Sequence, residues 1–127
     1  MKSYKSLVLL ILSICLACPA LLYAVENPVS IKKLKVEYAE MPLGIDVEKP
    51  RFSWQMVVPD TERGYSQKAY QIIVTDEMGS LVWDSGKVSS DLSLNIEYAG
   101  APLQPATCYF WTVNVWNQRG EQSSETS

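Results

Sequence analysis

Six stretches of the sequence alternate apolar and polar residues with a period of two, and no other feature constrains the fold as tightly. Side chains on an extended chain point to opposite faces in turn, so such a stretch makes a strand with one buried face. Leu34, Val36 and Tyr38 alternate with Lys33, Lys35 and Glu37. Phe52, Trp54 and Met56 alternate with Arg51, Ser53 and Gln55, and Tyr70, Ile72 and Val74 with Gln71, Ile73 and Thr75. Leu81 and Trp83 form a short fourth stretch, Leu92, Leu94, Ile96 and Tyr98 a fifth, and Tyr109, Trp111, Val113 and Val115 a sixth. Turn-forming residues separate them: Pro42 to Pro50 around Gly44, Pro59 to Gly64, Asp76 to Ser80, Asp84-Ser85-Gly86 and Ala99 to Pro102. No segment beyond residue 24 keeps a helical period. The expectation is an all-β, antiparallel β-sandwich.

The first 24 residues read differently. Lys2 and Lys5 give a positive start, Leu7 to Ala17 are apolar but for Ser13, and Ala20 and Ala24 are small. That is the order of a secretory signal peptide, cleaved after Ala24 or, alternatively, Ala20. The apolar run is short for a retained anchor, which needs about 20 residues. A lipoprotein reading would use Cys18, but Cys15 stands where Leu is usual. The expected organisation is therefore a signal peptide over 1–24 and a sandwich over 25–127, with the product exported to the periplasm or outside the cell. Membrane contact is expected only through the signal segment during export. Of three cysteines only Cys108 would remain, so no internal disulfide is expected. With 47% hydrophobic residues, the hydrophobic core has to hold the sandwich.

Composition removes whole classes of chemistry. There is no His, which excludes a Ser-His-Asp triad, a Cys-His pair and a His-ligated zinc site. A formal net charge of −3 argues against a nucleic-acid partner, which needs a clustered basic surface. No Gly-rich phosphate loop, CxxC pair or EF-hand spacing occurs, and no cofactor or metal is implied. The carboxylates Asp60, Glu62, Asp76, Glu77 and Asp84 fall in expected turns. Asp46 and Glu48 could meet Arg51 locally. Cys108 has no neighbour that would activate a thiolate.

One motif narrows the sandwich. Leu103-Gln104-Pro105-Ala106-Thr107-Cys108-Tyr109 places a Leu and a Pro before a Thr-x-Tyr at the start of the strongest strand. This resembles the tyrosine corner of fibronectin type III and immunoglobulin-like modules, in which the Tyr hydroxyl bonds to backbone a few residues upstream.

Larger segments extend the resemblance. Leu34-Lys35-Val36-Glu37-Tyr38, Pro42-Leu43-Gly44-Ile45-Asp46 and Lys49-Pro50-Arg51-Phe52-Ser53-Trp54 resemble the start of bacterial α-L-rhamnosidases of glycoside hydrolase family 78. So do Gln67 to Val74, Leu81 to Val88 and Tyr109 to Trp116. The resemblance covers roughly residues 31–120 and implies a fibronectin-like accessory module whose partner is the catalytic domain of the parent enzyme. In that family an (α/α)₆ barrel several hundred residues downstream works by inversion, with an acid and a base about 6.5–9.5 Å apart. None of the matching residues belongs to the family's catalytic motifs, so no catalytic residue is assigned and this chain alone is expected to be inactive. The parent would remove terminal α-L-rhamnose from glycans. Against the family pattern, Glu121 to Ser127 are polar throughout. The last strand therefore appears missing and the module truncated, which would leave the sixth stretch as an aggregation-prone edge.

The candidate surface is aromatic. Trp54 and Trp111 fall on inward faces. Phe110 and Trp116 fall on the face opposite Trp111, and Trp83 ends a short strand. Phe110, Trp116 and Trp83 are the expected surface for docking the catalytic domain or, second, for stacking a rhamnose-containing glycan. Two other readings remain: a free-standing carbohydrate-binding module, and a protein-interaction module that completes its sheet with a partner's strand.

Overall fold

The computed structural model describes residues 27–40 and 47–127. The expected signal segment, and Gly44 and Asp46 of the first link, lie outside the described residues. Eight strands and no helix occur among the described residues: β1 (Ser30–Val36), β2 (Arg51–Val57), β3 (Gln67–Asp76), β4 (Leu81–Asp84), β5 (Val88–Ser89), β6 (Ile96–Glu97), β7 (Tyr109–Asn117) and β8 (Gln122–Thr126). They form two antiparallel sheets. One has the order β1-β2-β6; the other runs β4-β3-β7-β8, with β5 also paired to β3. This is the expected sandwich.

The alternating residues meet between the sheets. Phe52, Trp54, Ile96 and Tyr98 come from one side, and Tyr70, Ile72, Val74, Trp111, Val113 and Val115 from the other. Ile72 and Val113 are completely buried. Burying one such side chain contributes about 1.5–3 kcal/mol, so this layer dominates the stability. Aromatic rings fill its middle, with Phe52 and Trp111 centroids 4.7 Å apart and Trp54 edge-on to Tyr70 at 5.4 Å. The Trp54 indole N–H is not orphaned: it donates to Gln67 Oε1 at 3.0 Å. The Gln67 amide in turn donates to the carbonyls of Ser90 and Leu92, at 3.1 and 2.7 Å.

Two tyrosines lock the loop between β6 and β7. The Tyr109 hydroxyl accepts a hydrogen bond from the Gln104 N–H at 2.9 Å, which is the expected corner. The Tyr98 hydroxyl donates to the Ala101 carbonyl. Gly100 makes that second lock sterically feasible, because a Cβ there would lie 2.5 Å from the Tyr98 hydroxyl and 2.9 Å from the Trp83 Cβ.

The structure corrects several expectations. A strand does follow Gly120. β8 pairs with β7 from Thr112↔Thr126 to Trp116↔Gln122, so β7 is an interior strand and not an exposed aromatic edge. Ladder pairing uses backbone groups, which polar residues carry as well as apolar ones. The β8 side chains also find partners: Ser123 Oγ donates to the Val29 carbonyl at 2.9 Å, and Thr126 bonds Thr112 at 2.9 Å. In the first stretch the buried residue is Ile31, at 1% exposure, while Tyr38 stands out at 55%. A bulge at Lys33 breaks the alternation, and Glu37 and Tyr38 form a two-residue hairpin loop. In the fifth stretch only Ile96–Glu97 is strand, and Leu92 and Leu94 are exposed. That segment is held by Gln67 and by the Trp54 N–H to the Ser93 carbonyl, with no continuous ladder to set its faces.

Candidate functional site

β3 and β7 fix which side chains reach the outer face of the larger sheet. With Ile72, Val74, Trp111, Val113 and Val115 committed to the core, Gln71, Ile73, Thr75, Phe110, Thr112, Asn114 and Trp116 point outward. Phe110 is exposed. It pairs across the ladder with Thr75, which faces Leu81 on its other side. Leu81 is exposed as well, and Met78, at the tip of the β3–β4 turn, is 91% exposed. These three residues place an apolar patch at one end of the sheet. Ser127 lies beside it: its N–H donates to the Trp111 carbonyl at 2.9 Å.

Trp116 sits at the other end of β7. Six residues at about 3.4 Å each put it roughly 20 Å from Phe110. It is half-buried, and the Lys87 ammonium lies 4.4 Å from its ring centroid. Trp83 is not on this face at all. It packs inward, stacked on Phe52 at 6.2 Å and edge-on to Tyr98 at 4.9 Å. The three aromatic candidates thus occupy three separate environments, and only Phe110 belongs to an open apolar patch. Leu81 and Met78 were missed. By alternation alone Leu81 shares the inward face of Trp83, and the register shift between Val74 and Thr75 turns it outward. For Met78 the signal was present, since a residue at the tip of a tight turn cannot reach a core.

Polar side chains cross the middle of the face as a row. Ser124 Oγ donates to Asn114 Oδ1 at 2.6 Å, the Asn114 amide to Gln71 Oε1 at 3.2 Å, and the Gln71 amide to Asp84 Oδ1 at 2.9 Å. The Gln71 amide, followed by the Gly86 N–H at 2.8 Å, holds the Asp84 carboxyl below its usual range. These groups satisfy one another, which leaves few free donors for a sugar on this face.

Other carboxylates are also engaged locally. Asp76 Oδ1 caps the Met78 and Ser80 N–H groups, both at 2.9 Å. Arg51 pairs with Glu37 at 2.8 Å, not with Glu48, and this guanidinium hydrogen bond is the main cause of the lowered Glu37 pKa. Among the described residues no three His, Cys, Asp or Glu side chains cluster as metal ligands, and Cys108 is exposed and unpaired. Among the described residues no two carboxylates face one another across a walled pocket.

The chain resembles known proteins in both sequence and fold. The sequence profile of the Rha78A-like N-terminal immunoglobulin domain matches residues 31–127. An α-L-rhamnosidase of Streptomyces avermitilis is 48% identical over 92 residues, which is 69% of this chain and 9% of that enzyme. One from Formosa agariphila is 32% identical over 78% of this chain and 11% of its own length. Among solved structures, the Streptomyces avermitilis α-L-rhamnosidase complexed with L-rhamnose superposes with a TM-score of 0.69, at 44% identity over 78% of this chain and 10% of that one. The α-L-rhamnosidase of Dictyoglumus thermophilum gives 0.67 at 37% identity, over 77% of this chain and 11% of that one. The chain therefore spans about a tenth of the length of the relatives it matches.

Proposed function

The chain belongs to the family of Rha78A-like N-terminal immunoglobulin domains, and from that we propose that it is a non-catalytic accessory module of an exported α-L-rhamnosidase. The observation that carries this reading is the match itself, a whole sandwich aligned to about a tenth of each relative. The module's work is mechanical. It presents the apolar patch of Met78, Leu81 and Phe110 to another part of the enzyme. An exposed apolar cluster of this kind gains stability when a partner covers it. The substrate of the parent enzyme is a glycan with terminal α-L-rhamnose, cut by carboxylates outside this chain. Lys2, Lys5 and the apolar run from Leu7 to Ala17 support export, to the periplasm or beyond.

Two measurements test this. The purified chain, incubated with an aryl α-L-rhamnoside, is expected to give no turnover above background; measurable hydrolysis would overturn the accessory reading. The chain is also expected to bind a rhamnosidase from which the N-terminal module has been removed. Phe110→Ser should weaken that binding about tenfold, as for one apolar anchor, while Trp116→Ser changes it little. Equal effects of the two substitutions would reject the patch as the docking surface. Strand donation to an open β7 loses its premise, because β8 occupies that position.

A further inference from the structure

The smaller sheet carries a second feature on its outer face. There Lys33, Lys35, Tyr38, Ser53, Gln55 and Leu94 line an open depression of about 300 Å³. Phe52 and Trp54 point into the core, so Ser53 between them faces the depression. Ser53 is 8% exposed and lines the depression, and among the described residues no buried polar side-chain atom is left without a partner. Lys35 lies directly across the ladder from it.

The charges are unbalanced. Arg51 and Glu37 form the only ion pair among the described residues, so neither Lys33 nor Lys35 has a carboxylate of the described residues within salt-bridge distance. The backbone around the depression is held in the left-handed region, with φ of 53° at Lys33 and 68° at Tyr38. Tyr38 is also fixed from outside. Its hydroxyl donates to Asn95 Oδ1 at 2.6 Å, and the Arg51 guanidinium lies 5.1 Å from its ring centroid. An aromatic ring, a hydroxyl, an amide and two lysines thus line one small concavity.

We infer that this depression binds an acidic saccharide unit, with Lys35 and Lys33 on its carboxylate, Ser53 and Gln55 on its hydroxyls, and Tyr38 and Leu94 against its ring. The two lysines require an anion. The neutral polar groups require hydroxyls, and a volume of this size takes one or two sugar rings. Choosing a saccharide over another polyhydroxylated acid rests on the rhamnosidase reading; the site itself does not.

The test is an NMR titration of the ¹⁵N-labelled full chain with glucuronic acid, glucose and sodium sulfate. Glucuronic acid is expected to shift the Lys35, Tyr38 and Ser53 amides saturably. Glucose should bind about tenfold more weakly, the scale of one lost charge-assisted contact. Lys35→Met and Ser53→Ala should each reduce the affinity several-fold, and their thermal midpoints should match the parent chain's, which excludes unfolding as the cause. Equal binding of glucose would overturn the role of the lysines. Equal shifts from sulfate would reduce the site to an anion contact, and no shift at these amides would remove it. None of these readouts involves turnover or docking, so failure here is separable from failure of the accessory role.

Discussion

The two sheets reach the same core by different means. The β3–β7 ladder runs unbroken in pairing sense from Gln67↔Asn117 to Asp76↔Tyr109, with its one irregularity next to Gln67. Its inner positions are aliphatic or aromatic from Tyr70 to Val74 and from Trp111 to Val115, and its outer positions bond one another in a row. The smaller sheet pairs β2 with β6 only at Arg51↔Glu97 and Phe52↔Ile96, and β1 carries a bulge. Side chains compensate: Trp54–Gln67 ties it to the opposite sheet, and Glu37–Arg51 with Tyr38–Asn95 ties its loops together. Long ladders are cooperative units, whereas short ones held by single side chains open locally at lower cost. The larger sheet is the scaffold, and the smaller sheet is where backbone strain and an unfilled depression are tolerated.

The largest effect that could break this comparison comes from matched core truncations. Ile72→Ala and Ile31→Ala remove the same atoms from nearly identical burial, 0% and 1% exposed. Such changes cost about 2–5 kcal/mol, depending on how far the site collapses. Ile72→Ala is expected near the upper end and Ile31→Ala near the lower end, because the bulged strand can relax. Urea unfolding of both variants measures the difference, and equal costs would mean that the smaller sheet is packed as rigidly as the larger.

A smaller effect should follow from Gln67→Leu. It strands the Trp54 indole N–H and the Ser90 and Leu92 carbonyls, at a cost of about 1–3 kcal/mol. Hydrogen exchange should accelerate at Leu92 to Ile96 while the β7 amides stay protected. Uniform acceleration would show that the two sheets unfold as one unit.

The smallest effect is set by pH. Glu37 has its pKa lowered in the folded protein, first by the hydrogen bond from the Arg51 side chain, against some desolvation. A depressed carboxylate stabilises the fold above its unfolded pKa and loses that contribution as pH falls through the folded value. The pair is solvent-exposed, so the loss is small. Acid titration should show it at the Glu37–Arg51 hairpin, in the region below the ordinary glutamate range, and Glu37→Gln should abolish that step without altering the midpoint at neutral pH by much.

The sandwich was legible because Trp54, Ile72, Val74, Trp111, Val113 and Val115 have nowhere to go but a shared interior. The Tyr109 corner was legible because its hydroxyl reaches a backbone group only five residues away. The apolar patch was half legible: Phe110 stood on the outward face, but Leu81 joined it only through a register shift. The depression was not legible, since Lys33, Ser53 and Tyr38 read as ordinary alternation partners until the bulge and the hairpin loop brought them together.

The sequence by itself determined the sandwich class, the faces of β2, β3 and β7, and the family. Those follow from local periodicity and from residue order, which need no partner to be read. The tertiary structure alone decided that Gln122–Thr126 is a strand, that Trp83 packs inward, that Lys87 covers Trp116 and that Ser53 lines a depression on the smaller sheet. Each of these depends on which backbone lies alongside, and a ladder accepts polar residues as readily as apolar ones once that neighbour is in place.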